Sequence, residues 1–202
     1  MNALRETMNI HQWMLKKVSE AGEGLKRLLV DEACLQNIEK VSLLMIEAIK
    51  RDQKILICGN GGSAADAQHF SAELLGRFYK DRRPLAAVAL TTDTSTLTAI
   101  GNDYSYEEIF SRQVEGLGRE GDVLLGIGTS GSSQNVLRAL MSAKKKGMAS
   151  ILLTGTFERE AAPVSDFVIK VPSTDTPRIQ EMHLLVVHLI CEMIERSVLD
   201  VI

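Results

Sequence analysis

The chain has 202 residues, a formal net charge of −3, and 45% apolar, 24% charged and 4% aromatic residues. That length and apolar content match one soluble globular domain with its own core, and they argue against an intrinsically disordered chain. With 26 acidic residues against 23 basic ones and few aromatics, a surface built to grip nucleic-acid phosphates or to stack on bases is disfavoured too.

The N-terminal stretch MNALRETMNIHQW carries charges at Arg5 and Glu6 and no apolar run, so no secretory leader is expected. Ile10, Met14, Val18, Ala21, Leu25 and Leu28 recur at steps of three and four and predict an amphipathic helix. Gly22 and Gly24 fall inside it and predict a bend or a stop. Ile38, Val41, Met45 and Ala48 predict a second helix. Residues 1–51 thus read as a helical extension that covers the main fold or packs on another subunit.

After Arg51 the rhythm changes. Lys54–Cys58 is a short apolar run that ends in a glycine loop, with a helix over about residues 63–78. Leu85–Leu90 is a second run. Asp122–Ile127 is a third, followed by a Gly/Ser/Thr loop and a helix over about 133–146 that Gly147 closes. Ser150–Thr154 and Phe167–Val171 are two more, and a last helix covers about 176–199. Short apolar runs without alternation, separated by helices, indicate a parallel sheet covered on both faces. The expected architecture is α/β: a three-layer α/β/α fold with about five parallel strands, in one domain over 1–202.

Cys34, Cys58 and Cys191 are odd in number, lack CxxC spacing and lie in apolar segments. They read as buried, reduced thiols of a cytoplasmic protein. The most apolar run, Leu184–Cys191, is broken by His188 and is too short for a bilayer, which needs about 20 residues.

Two loops have the composition of anion sites. Gly59-Asn60-Gly61-Gly62-Ser63 joins a strand to a helix, where glycines let backbone N–H groups approach a ligand and the helix start favours negative charge. It is neither a Walker A loop nor GxGxxG, so no nucleotide is implied. Gly128-Thr129-Ser130-Gly131-Ser132-Ser133 places four hydroxyls where another helix begins. Such hydroxyls either surround phosphoryl oxygens or simply cap the helix. Two such loops on one sheet favour a ligand, because α/β sheets bind at that edge.

His69 and Glu73 are four residues apart, about 40° around a helix, and share a face. Gln180 and His188 lie eight apart on the last helix, about 80° around, whereas His183 points away from His188. Two His, one Glu and one Gln suit a mixed nitrogen/oxygen metal site or an acid/base pair, if the two helices meet.

Four segments together resemble the phosphoheptose isomerase family (sedoheptulose 7-phosphate isomerases) of the sugar isomerase, or SIS, domain superfamily. They are GNGGSAADAQHFSAELLGR (59–77), TTDTSTLTAIGNDYSYEEIFSRQVEGLG (91–118), GDVLLGIGTSGSSQNV (121–136) and RIQEMHLLVVH (178–188). The resemblance implies interconversion of D-sedoheptulose 7-phosphate and D-glycero-D-manno-heptose 7-phosphate, the first step toward ADP-heptose and the lipopolysaccharide core. It implies a cytoplasmic homotetramer with interfacial active sites, a phosphosugar substrate, one zinc per subunit, and no nucleic-acid or membrane partner. By the same resemblance, Glu73 and His188 fall on catalytic positions, and His69, Glu73, Gln180 and His188 on zinc positions. Asn60, Gly61, Gly62, Ser63, Glu73, Arg77, Asn102, Asp103, Gly128, Thr129, Ser130, Ser133 and Gln180 fall on substrate positions.

This sequence departs from the family pattern twice. Gly128 stands where relatives usually carry serine; it loses a hydroxyl and is expected to offer its backbone N–H instead. Pro177 stands where some relatives carry an acidic substrate contact, which is therefore not carried over. The alternative is a non-catalytic SIS-fold binding protein of the kind that associates with the replication initiator DnaA. That relative lacks the carboxylate and histidine at positions 73 and 188, and their presence here favours the enzyme.

Overall fold

The structure, a computed structural model, describes residues 9–157 and 162–199. All five apolar runs form strands: β1 Ile55–Gly59, β2 Ala87–Ala89, β3 Val123–Ile127, β4 Ala149–Thr154 and β5 Phe167–Lys170. They make one parallel sheet in the order β2-β1-β3-β4-β5. β1 and β3 are buried at every position, which is why their sequences run apolar without a break. Gly59 pairs with Ile127 at the ends of β1 and β3, so the loops that follow leave the sheet side by side. Strand order reverses between these two strands, the point where open α/β sheets form a crevice.

The helices are α1 Ile10–Leu29, α2 Glu32–Lys50, α3 Gly62–Leu75, α4 Thr94–Asp103, α5 Ser111–Leu117, α6 Gln134–Lys145 and α7 Thr176–Val198, with 3-10 turns at Tyr106–Glu108 and Ala162–Val164. Successive strand residues point to opposite faces. Ile55 and Ile57 therefore join a core with α2, α3 and α7, while Leu56 and Cys58 join a second core with α5 and α6. All three cysteines are free and buried. Among the described residues no helix is long and apolar enough to cross a membrane. Residues 1–8, 158–161 and 200–202 of the expected domain lie outside the described residues.

Three details differ from the sequence expectation. α1 continues through Gly22 and Gly24 to Leu29. Each glycine weakens a helix by about 1 kcal/mol, but Gly24 is buried beside Met182 of α7, and this packing holds the helix. α3 stops at Leu75 rather than near Phe78, at Gly76. α4, capped by Asp93, has no buried residue, and so no apolar stripe signals it.

Candidate active site

At the first loop the backbone of Gly61 has φ 56° and ψ −120°, a region that only glycine enters without strain. α3 starts immediately after it, and no side chain caps its N-terminus. By contrast Asn9, Asp31 and Asp93 cap α1, α2 and α4. The N–H groups of Ser63, Ala64 and Ala65 turn back to the carbonyls of Asn60 and Gly61 instead. Gly62 is needed for a second reason: a Cβ there would lie 2.3 Å from Gln180 Nε2 on α7. The side chain of Asn60 is locked in place. Its Oδ1 accepts from Asn135 Nδ2 at 2.8 Å and from Tyr106 Oη at 3.0 Å, and its Nδ2 donates to Asn135 Oδ1 at 2.9 Å.

The second loop follows β3. Thr129, Ser130, Ser132 and Ser133 are half-buried. The Ser130 and Ser132 hydroxyls lie 2.9 Å apart, and Ser133, in the N-cap position of α6, makes no side-chain cap bond. The capped-helix reading of these hydroxyls therefore fails at Ser133. The expectation for Gly128 is corrected as well. Its N–H donates to the Leu153 carbonyl at 3.0 Å and extends the β3–β4 ladder, so that donor is not offered to a ligand.

The histidines meet. His69 and Glu73 lie on α3 and His188 on α7, all half-buried. His69 Nε2 is 2.9 Å from His188 Nε2 and 3.3 Å from Glu73 Oε1. One donor atom from each of the three residues lies within 4.8 Å of the others, a grouping that could hold a metal ion. Gln180 lies against Gly62 at the start of α3, about two helical turns from His69.

One helical turn before His69, Asp66 keeps a buried Oδ2 without a hydrogen-bond partner. Burial raises the Asp66 pKa, and the nearby His69 works against that. His183 points the other way, into the core, fully buried. Neither of its ring nitrogens makes a well-formed hydrogen bond. Burial lowers its pKa to about 4, against a weaker opposing pull from the Thr154 backbone.

The remaining positions are less converged. Arg77 is exposed just past α3. Asn102 donates to Asp103 Oδ1 at 2.9 Å at the exposed end of α4. Beside them Asn60, Gly61, Thr91, Thr98, Gly101 and Tyr106 help line a cavity of about 400 Å³. A larger cavity, about 580 Å³, lies between α1 and the turn before α7. It mixes Lys16, Arg27 and Arg178 with Glu20, Glu23 and Asp175 and holds none of the His/Glu cluster. Chemistry rather than volume marks the site. Sequence reasoning missed Tyr106 and Asn135. Asn135 left a faint signal as a polar residue inside an apolar helix pattern; Tyr106 left none.

An SIS domain model matches residues 19–155. A phosphoheptose isomerase from a Nitratiruptor species is 56% identical over 161 residues, which is 80% of this chain and 86% of that protein. The chain belongs to the phosphoheptose isomerase family. Two solved structures of the family share its architecture. The enzyme from Neisseria gonorrhoeae is 43% identical with a TM-score of 0.86, over 93% of this chain and 99% of that one. The enzyme from Francisella tularensis is 36% identical with a TM-score of 0.89, over 94% and 100%. The family resemblance drawn from the four sequence segments is thus the family that the comparisons show, and the fold is the SIS fold with N-terminal helices in front.

Proposed function

We propose that this chain is an aldose–ketose isomerase that converts D-sedoheptulose 7-phosphate to D-glycero-D-manno-heptose 7-phosphate. The observation that carries the reading is the meeting of His69, Glu73 and His188 in a member of this family. The two loops that follow β1 and β3 end in N-cap residues, Gly61 and Ser133, that give no side-chain bond to their helices. The DnaA-associating alternative has no use for that carboxylate and histidine, and it is not favoured.

The reaction moves one proton between adjacent carbons through an enediolate. In our reading Glu73 takes the proton from one carbon and returns it to the other. His188 passes a proton between the two sugar oxygens, and each such group contributes about 10²–10⁴-fold. The division resembles the Glu base and His electrophile of triosephosphate isomerase. Thr129, Ser130 and Ser133, with the start of α6, take the phosphate. Gly128 contributes space, since nothing lies within 4 Å of where its Cβ would be. Asn60, Gly61, Gly62, Ser63, Arg77, Asn102, Asp103 and Gln180 bind the sugar chain.

Two imidazoles and a carboxylate suit zinc, which binds nitrogen at about 2.0–2.1 Å in a tetrahedron and so holds two such nitrogens about 3.3 Å apart. The 2.9 Å between His69 and His188 needs little adjustment to reach that. His69, Glu73 and His188 would hold the ion; Gln180, whose amide lies against Gly62, would become the fourth ligand only by turning toward them. When bound, zinc polarises the sugar carbonyl.

We further read the chain as one SIS domain over residues 1–202 with 1–51 as its extension, working in the cytoplasm at the start of ADP-heptose synthesis for the lipopolysaccharide core. A homotetramer with shared sites is supported by α1. Its Ile10, Met14, Val18, Leu25 and Leu29 are exposed, a stripe that one chain leaves uncovered. Incubation with sedoheptulose 7-phosphate, following aldose formation, tests the activity. No turnover with or without added zinc overturns it.

A further inference from the structure

The segment between α3 and β2, Arg77-Phe78-Tyr79-Lys80-Asp81-Arg82-Arg83, has the composition of a solvated loop. One of its arginines is not solvated. The side chain of Arg82 is 1% exposed, and so is nearly all of its partner, Glu195 of α7, at 3%. Arg82 Nε lies 3.3 Å from Glu195 Oε1. A buried pair of this kind needs its remaining hydrogen-bonding capacity met; here backbone groups meet most of it, while the buried Arg82 Nε faces Glu195 without a well-formed hydrogen bond.

Arg82 Nη2 donates to the Glu73 carbonyl at 2.7 Å, and Nη1 donates to the carbonyls of Leu74 at 2.8 Å and Gly76 at 3.1 Å. The Glu73 and Leu74 carbonyls belong to the last turn of α3, whose carbonyls find no N–H donors within the helix. A cation is favoured there. Glu195 in turn accepts from the backbone N–H of Phe78 at 3.0 Å, Tyr79 at 2.7 Å and Lys80 at 3.1 Å. Burial opposes its charged form, but the three N–H groups and Arg82 outweigh burial and lower its pKa.

The pair therefore ties the end of α3 and the loop after it to α7. These are the two helices whose meeting makes the His69–Glu73–His188 cluster. Arg82 holds the backbone of Glu73 itself. Glu195 lies seven residues after His188, two turns along the same face. The loop that Glu195 holds places the Phe78 ring 5.7 Å from the His188 ring.

We infer that Arg82 and Glu195 are positioning residues for the isomerisation: their buried pair fixes Glu73 and His188 relative to each other. The inference rests on the activity proposed above. A misplacement of about 1 Å in a catalytic group costs on the order of 10²-fold in rate. None of the hydrogen bonds of the pair involves the phosphate loop.

The test compares Arg82→Met, Arg82→Lys and Glu195→Gln with wild type and with Asp122→Asn, each assayed well below its melting temperature. Asp122, itself buried, belongs to another ion pair, with Lys54, which joins the starts of β1 and β3 and makes no contact with α3 or α7 through its hydrogen bonds. R82M is expected to lose about 10²-fold in kcat with KM within about threefold of wild type. R82K, which can still reach the carbonyls, is expected to recover part of that loss. E195Q keeps the shape of the acceptor without its charge and is expected to lose roughly tenfold in kcat. D122N is expected to melt earlier with its kcat unchanged. If R82M does not fold, E195Q and R82K decide. Variants that keep the wild-type kcat, or lose it only in proportion to their unfolded fraction as D122N would, overturn the inference. A wild-type chain without turnover overturns the functional reading and this inference with it; an active wild type with unaffected variants overturns this inference alone.

Discussion

The two edges of the sheet handle polar groups in opposite ways. At the edge where the strands begin, charges are closed off. Asp122, 1% exposed, accepts from the N–H of Lys54 at 3.0 Å and of Arg119 at 2.8 Å and pairs with the Lys54 ammonium. Asp166 is exposed, yet it too is saturated: it accepts from the Ser150 N–H at 2.9 Å and hydroxyl at 2.7 Å and pairs with Lys144 at 3.1 Å. At the edge where the strands end, the N-cap residues Gly61 and Ser133 give no side-chain bond to α3 and α6, and about two turns further along α3 two half-buried histidines face each other through their Nε2 atoms. Stability needs saturated polar groups. Binding and catalysis need unsaturated ones, and one sheet supplies both by separating them along the strands.

That contrast can be broken from either side. The largest effect is expected at the open edge. Glu73→Gln should lower kcat by about 10²–10⁴-fold while the melting temperature stays near wild type and phosphosugar binding remains measurable by calorimetry. Wild-type turnover in that variant would rule out Glu73 as the base. The closed edge should answer in the opposite way. Asp122→Asn should cost about 3 kcal/mol in urea unfolding, because it leaves buried donors unpaired, with kcat of the folded enzyme unchanged. A lower kcat there would show that the two edges are not separate.

Acid probes the core between them. The folded pKa of His183 is about 4, below the roughly 6.5 of an unfolded histidine. Between those values the unfolded chain binds the extra proton, so stability is full above pH 6.5 and falls as pH drops toward 4, by about 3 kcal/mol. Glu195 adds to the loss in the same direction, since its carboxyl is also held below its ordinary pKa. Urea midpoints at pH 7 and pH 5 check this, and His183→Leu should flatten the difference. An unchanged slope in that variant would assign the acid loss elsewhere. The smallest effect is expected at the phosphate loop. Ser130→Ala should raise KM roughly tenfold, the worth of one charge-assisted hydrogen bond, with kcat little changed.

Much of this was legible in the chain itself. Five strands could be read because strands buried on both faces must be continuously apolar. His69 and Glu73 could be placed on one helical face because i and i+4 always share one. The two glycine loops could be read as sites because they follow strands that end in helices. Other features were hidden. α4 has no buried face to leave a stripe. The Gly128 N–H was expected to meet phosphate but serves the sheet, because Leu153 of the neighbouring strand offers a carbonyl at 3.0 Å. Arg82 lies in a run of charges that looks solvated, and only the arrival of Glu195 from 113 positions further along (195 − 82) makes it a buried brace.

By itself, then, the sequence determined the periodic and local features: the elements, the faces they present, the loops and the family. These depend on neighbours within a few residues, where backbone geometry leaves little choice. The tertiary structure decided which faces meet. His69 and His188 are 119 positions apart, and 2.9 Å separates their ring nitrogens only because the strand order lays α3 and α7 on the same side of the sheet. Such a distance follows from the packing of the whole core, and no local pattern encodes it.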